Sequence, residues 1–167
     1  MSLPPIQNLN EFKPNIVTKF YSADDEVIKT FTAFTFKKVD LNEMPDNIKK
    51  AIIATEDKNF YHHPGYDLTG LLRSTVANVF AGHVVQGAST ITQQLARILF
   101  LSNEKTYTRK IKELIIASRI EKTIPKDKIL EMYLNNVYLG SGAYGVAGAA
   151  EVYFNKPLSQ LDLSECA

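Results

Sequence analysis

The chain has 167 residues, 45% hydrophobic and 22% charged, with 8 Gly, 7 Pro and 1 Cys. This fits one domain burying about 70% of its unfolded surface, and excludes collagen-like, low-complexity and disordered chains. A net charge of +1 argues against a nucleic-acid partner, and the lone Cys166 excludes an internal disulfide or a Cys-rich metal site.

In chain order, β comes first. Ile16–Tyr21 and Val27–Phe36 are rich in β-branched and aromatic residues, and the polar cluster 22–26 between them reads as a turn. From Pro45 the pattern turns helical, with Ile48, Ala51, Ile52 and Thr55 at helical spacing. Asp67 reads as the cap of a second helix whose apolar stripe is Leu68, Leu71, Leu72, Val76 and Val79. Gly82 and Gly87 bracket a loop, and Ser89 or Thr90 opens a helix through Leu95, Ile98 and Leu99. Thr106 opens another to about Thr123, and Pro125 starts one through Ile129, Leu130, Tyr133 and Leu134. Gly140-Ser141-Gly142 breaks it, and a final helix spans about Tyr144–Phe154, stopped by Asn155-Lys156-Pro157. The architecture is mainly α with a short N-terminal β element. The end, Leu163–Ala167, looks helical without a stop signal, which suggests that the chain ends inside its domain. No apolar run approaches the roughly 20 residues of a membrane helix, and the start lacks the pattern of a signal peptide.

Charge is uneven. Residues 97–128 hold 9 basic and 4 acidic side chains, against 9 and 10 in 1–96 and 1 and 4 in 129–167. The basic block falls on predicted helices, either as a solvated face or as an anion-binding patch.

Three constellations carry chemistry. Glu56-Asp57 ends an apolar helix and runs into Phe60, Tyr61, His62 and His63, placing a carboxylate at an apolar edge where it can serve as an acid or base. A solvated helix end fits the same residues. Adjacent histidines point apart, so His63 reads as a hydrogen-bonding residue rather than a zinc ligand. Gly87-Ala88-Ser89-Thr90 before a helix, with Gln93 and Gln94 a turn in, suits an anion or sugar site and equally an ordinary N-cap. Lys105, Arg109 and Glu113 follow i, i+4 steps with Lys110 turned about 100° away, a cation cluster suited to pyrophosphate or a simple salt-bridge ladder.

Taken together, the motifs resemble those of the peptidoglycan glycosyltransferases, glycosyltransferase family 51. Glu56-Asp57-x-x-Phe60-x-x-His63-x-Gly65 resembles the first motif and Gly87-x-Ser89-Thr90-x-x-Gln93-Gln94 the second. Arg109-Lys110-x-x-Glu113, Lys126-x-x-Ile129-Leu130-Glu131-x-Tyr133-Leu134-Asn135 and Gly145-x-x-x-Ala149-Ala150-x-x-Tyr153-Phe154 resemble the third to fifth, in family order. The likeness divides the chain into a β-rich lead-in, 1–40, and a glycosyltransferase domain, 41–167. Ile16-x-x-x-Phe20-Tyr21-Ser22-Ala23-Asp24 and Met44-Pro45 are similar to the segment that precedes this domain in class A penicillin-binding proteins.

The resemblance implies a lysozyme-like helical domain with a small membrane-facing lobe, built partly from residues 68–85. Val79, Phe80, Val84 and Val85 would dip into lipid, with a core place for Val79 the alternative. It implies inverting polymerisation of lipid II into β-1,4-linked glycan, the growing chain being carried on a polyprenyl pyrophosphate. Glu56 matches the general base, and Glu113 joins it as a catalytic residue that orients cations or helps hold a divalent metal on the pyrophosphate. Arg97 and Lys105 match the positions holding the leaving pyrophosphate. The family often has Lys then Arg there, so this chain swaps them. Arg109, Lys110, Gly87, Ser89, Thr90, Gln93, Gln94, Asp57 and His63 match substrate-side positions, while Ala88 stands where glycine is common. Leu130, Tyr133, Leu134, Ala149, Ala150 and Phe154 read as core, and Asn135 as a buried hydrogen-bonding residue.

The implied cofactor is Mg²⁺ or Mn²⁺, with no organic cofactor. The implied partners are lipid II, the glycan chain, the membrane surface and other cell-wall synthesis proteins. The implied place is the outer side of a bacterial inner membrane, with this chain a soluble fragment. Two competing readings are a glycan-cutting hydrolase of the same fold and a non-catalytic precursor-binding module. The basic cluster argues against the first, and intact Glu56 and Glu113 against the second.

Overall fold

The computed structural model describes residues 17–22, 24, 26–32, 35–83, 87, 89–101 and 106–166. Lys105, Ile16, Ala23, Val84, Val85 and Ala88, all singled out above, lie outside the described residues.

β1 (Val17–Tyr21) pairs antiparallel with β2 (Val27–Thr32), from Val17 opposite Thr32 to Tyr21 opposite Val27, with the register slipping after Phe20. Ser22 closes the turn: its N–H donates to the Glu26 carbonyl, and its hydroxyl accepts from the Asp24 and Glu26 amides. The second predicted strand falls on two described elements. Its end, β3 (Thr35–Phe36), pairs parallel with β4 (Ala143–Tyr144) instead.

The helices follow their punctuation. α1 (Asp46–Glu56) and α5 (Lys126–Asn136) each begin directly after a proline, whose fixed φ suits a helix entry. Asp67, Thr90 and Thr106 cap α2 (Leu68–Ala81), α3 (Ile91–Phe100) and α4 (Tyr107–Thr123), each side chain accepting the N–H three residues on. α6 (Gly145–Ala149) widens into a π turn over Ala150–Phe154 and stops at Asn155, which is left-handed. The result is consistent with the mainly α, lysozyme-like class. Leu163–Cys166 forms turns rather than the helix its composition suggests.

α5 is the centre. Every residue from Ile129 to Asn136 is buried, and α3, α4 and α6 pack around it. Burying Ile129, Leu130 and Leu134 contributes about 2 kcal/mol each. Its polar residues fasten other segments. Asn135 holds both backbone groups of Val39, accepting the N–H and donating to the carbonyl at 2.8 Å each. The Glu131 carboxylate accepts from Leu41 N–H. Gly145 sits at φ +71°, where a Cβ would stand 2.5 Å from the Asn135 carbonyl oxygen, so only glycine fits.

One expected core residue is not buried. Phe154 is half-exposed on the π turn. The α2 stripe faces outward: Leu68, Leu71, Leu72, Val76 and Val79 are all exposed, and Phe80 is 88% exposed. This removes the core alternative for Val79. α4 also exposes Tyr107, Ile111 and Ile115. Among the described residues, no helix is long and apolar enough to cross a membrane.

Candidate active site

The two adjacent carboxylates of the first motif have opposite fates. Asp57 leaves α1 at φ −159° and turns inward. It is buried, accepting His63 Nε2–H at 2.9 Å and the first free amide of α3, Ile91 N–H, at 3.0 Å. Because Gly65 N–H donates to His63 Nδ1, the imidazole proton sits on Nε2, facing Asp57. Asp57 thus fastens the end of α1 to the positive end of α3. Glu56, one residue earlier, stays exposed and receives a 2.6 Å bond from Gln94 Nε2. Gln94 Oε1 in turn accepts from Tyr133 Oη at 3.2 Å.

The loop behind this pair has no slack. Gly65 is buried at φ +95°, and a Cβ there would lie 3.1 Å from the Ala117 backbone of α4. Its carbonyl accepts from Thr90 Oγ1 and Gln93 Nε2. Lys126 closes the loop from α5, donating to the His63 carbonyl at 2.7 Å, pairing with Glu121 at 2.8 Å and standing 4.5 Å over the Phe60 ring. Thr92 Oγ1 donates to the same Glu121 oxygen. His63 and Gln93 are therefore buried scaffolding beneath the surface that Glu56, Ser89, Thr90 and Gln94 present.

The third motif docks on that surface from α4. Lys110 Nζ donates to Ser89 Oγ at 2.7 Å and Gln93 Oε1 at 3.2 Å, and pairs with Glu113 at 3.2 Å. Arg109 pairs with the other Glu113 oxygen. The 100° offset between Arg109 and Lys110 does not separate them, because i+3 and i+4 reach the same carboxylate. Glu113 is buried at 2% exposure with a cation on each oxygen, which does not fit a direct metal ligand. No group of three His, Cys, Asp or Glu side chains among the described residues forms a metal cage.

A cavity of about 320 Å³ opens beside Glu56. Glu56, Asp57, Gly87, Ser89, Thr90 and Gln94 line it, as do Lys58, Asp67 and Arg73, which the motif reading did not single out. Neither Lys58 nor Arg73 pairs with a carboxylate among the described residues, so two cations face the cavity. Asp67 is occupied by capping: the Thr69 hydroxyl, the Gly70 amide and Asn59 hold its pKa down at about 2. Arg97 does not line the cavity. It lies close enough to Tyr133 for its charge to be felt there, together with that of Glu56. Lys58 had a signal in its place inside the first motif, directly after Asp57. Arg73, on a helix of outward-facing apolar residues, had none.

A family model described as transglycosylase matches residues 24–167. Penicillin-binding protein 1A of Escherichia coli (strain K12) is 50% identical over 165 residues, covering 99% of this chain and 19% of that protein. The same-named proteins of Neisseria cinerea and Neisseria lactamica are 46% and 44% identical, each with 21% of its length covered. The chain thus spans about a fifth of the curated relatives it matches. It belongs to the transglycosylase family, and nearly its whole length is similar to one stretch of these penicillin-binding protein 1A relatives.

Proposed function

We propose that this domain polymerises lipid II into β-1,4-linked glycan with inversion, Glu56 acting as the general base. The observation that carries the reading is the exposed Glu56 carboxylate, held by Gln94 at the rim of a cavity walled by Lys58 and Arg73. Glu56 takes the proton of the acceptor's 4-hydroxyl, and the freed oxygen attacks the donor's anomeric carbon from the opposite face. The anomeric C–O bond breaks with its electron pair leaving on the polyprenyl pyrophosphate. The growing charge there is met by cations rather than by an acid. Arg97, Lys105, Arg109 and Lys110 are assigned to that side, with Glu113 keeping Arg109 and Lys110 in register. A divalent ion, Mg²⁺ or Mn²⁺, would arrive on the pyrophosphate. The cation-rich surroundings favour transfer over glycan hydrolysis, where no pyrophosphate needs holding. The proposed setting is the outer face of a bacterial inner membrane, alongside other cell-wall synthesis proteins. The deciding assay incubates the membrane-anchored, full-length protein with lipid II and Mg²⁺ and separates the products by size. Absence of glycan polymer refutes the reading.

Arg97→Ala is expected to weaken donor use more than acceptor use, because leaving-group charge is stabilised most in the transition state. Steady-state rates with separate donor and acceptor analogues check this, and equal effects on both would remove Arg97 from the pyrophosphate side.

The outward apolar face of α2 is the proposed membrane contact, since an exposed run of apolar side chains on one helix marks a binding surface. Phe80→Glu is expected to reduce liposome binding and lipid II turnover while leaving the melting temperature unchanged. Burying that carboxylate at hydrocarbon depth costs on the order of a few kcal/mol. A variant with unchanged liposome affinity would remove α2 from the membrane contact.

A further inference from the structure

Tyr133 looks at first like an ordinary core residue of α5. It is 2% exposed, with buried Ile129 and Leu130 one turn before it and buried Leu134 beside it. Its hydroxyl nevertheless leaves the core. It donates to Gln94 Oε1 at 3.2 Å, and Gln94 Nε2 donates onward to Glu56 Oε2 at 2.6 Å. The two bonds have a fixed polarity. The carboxylate can only accept, so the carboxamide gives Glu56 its N–H₂ end and turns its oxygen to Tyr133, whose hydroxyl fills that acceptor as a donor. Burial, then the nearby Glu56 charge, raise the Tyr133 pKa well above the usual range, with Arg97 opposing, so the hydroxyl remains a donor across the working pH range.

Glu56 is otherwise poorly held. It is the last residue of α1, it is exposed, and Gln94 is its one side-chain partner among the described residues. A base must stay within hydrogen-bond reach of the proton it abstracts, so the Glu56 rotamer needs an external anchor. Gln94 is itself a flexible side chain and needs one in turn. The rigid anchor is the phenol, fixed in the centre of the domain by the packing of α5 against α3.

From this geometry we infer that Tyr133 is a positioning residue: through the Gln94 carboxamide its buried hydroxyl sets the orientation of the Glu56 carboxylate. The inference rests on the reading of Glu56 as the base. It adds a role for a residue that touches no substrate, and it makes Gln94 the middle of a relay rather than only a sugar contact.

The test uses the full chain, wild type and Tyr133→Phe, which keeps the ring and its packing and removes only the hydroxyl. The relay is read without any turnover by side-chain amide NMR of ¹⁵N-Gln protein. The Gln94 N–H₂ protons should be widely split in the wild type, because one of them is given to a carboxylate, and should collapse toward free-glutamine values in Tyr133→Phe. In the lipid II assay, kcat should fall roughly 10- to 100-fold, the scale of a misplaced catalytic group, while KM stays within about twofold. Gln94→Met should cause a similar loss, and the double variant little more than either alone, because the two act as one unit. Unmoved Gln94 resonances would overturn the relay whatever the kinetics. Moved resonances with unchanged kcat, in an assay where Glu56→Gln is inactive, would overturn the positioning role alone. Equal turnover by wild type and Glu56→Gln would overturn the base reading itself, and the positioning role with it.

Discussion

Glu56→Gln should reduce lipid II polymerisation by roughly 10²-fold or more, the scale of a lost general base. The substitution is close to a pure change of basicity. An amide oxygen in place of Oε2 can still accept the Gln94 N–H, so the 2.6 Å contact to the α3 side chain has a successor. Nothing in the fold depends on the charge, because Glu56 is exposed while its neighbour Asp57 carries the buried bonds to His63 and Ile91. The expected result is an inactive variant with an unchanged melting temperature and intact binding of a donor analogue. Turnover near that of the wild type would remove Glu56 from the chemistry, and a large loss of thermal stability would mean that its role is structural.

The separation of Glu56 from Asp57 shows what the sequence can and cannot carry. Both stand in the same motif, and nothing local says which turns inward. The decision is made by partners far along the chain: Ile91 N–H, 34 residues away, claims Asp57, and Gln94, 38 residues away, claims Glu56. Helix starts were legible because their cause is local. Asp67, Thr90 and Thr106 cap through atoms three residues on, and Pro45 and Pro125 act through their own rings. The direction of an apolar stripe was not legible. Helical spacing places Leu68, Leu72, Val76 and Val79 on one side of α2, but periodicity is silent on whether that side meets core or surroundings. Tyr133 shows the opposite limit. Its spacing with Leu130 and Leu134 correctly makes it core, while its function resides in one oxygen whose partner is 39 residues away.

Binding cations divide in the same way. The third motif was readable because Arg109, Lys110 and Glu113 are neighbours on one helix. That Lys110 also reaches Ser89 and Gln93 depends on how α4 lies against α3, which no spacing within α4 encodes. Arg73 faces the cavity only because the fold brings α2 to the same cavity as Gly87, Ser89 and Thr90, 14 or more residues on.

Those tertiary links make Glu113→Ala the second substitution with a large expected effect. Glu113 is buried, and each carboxylate oxygen carries a cation, Arg109 on one and Lys110 on the other. Its removal leaves two positive charges facing each other without their shared counter-charge. Breaking a buried pair typically costs 3–5 kcal/mol; about 3 kcal/mol applies here, because Lys110 keeps 43% of its side chain exposed and can recover hydration. For a domain of this size that is a fall in melting temperature of roughly 6–12 °C. The damage should also travel. Lys110, no longer held from below, loses its geometry on Ser89 Oγ and Gln93 Oε1, so the α3 entrance beside the cavity loosens and donor use falls with stability. Glu113→Gln keeps the volume and one acceptor oxygen and should fall between wild type and Ala in melting temperature. Thermal unfolding of the three proteins, measured beside donor turnover, checks both parts. An unshifted melting temperature in Glu113→Ala would mean that the cations hold their places without it, and its effect on turnover would then have to be chemical rather than architectural.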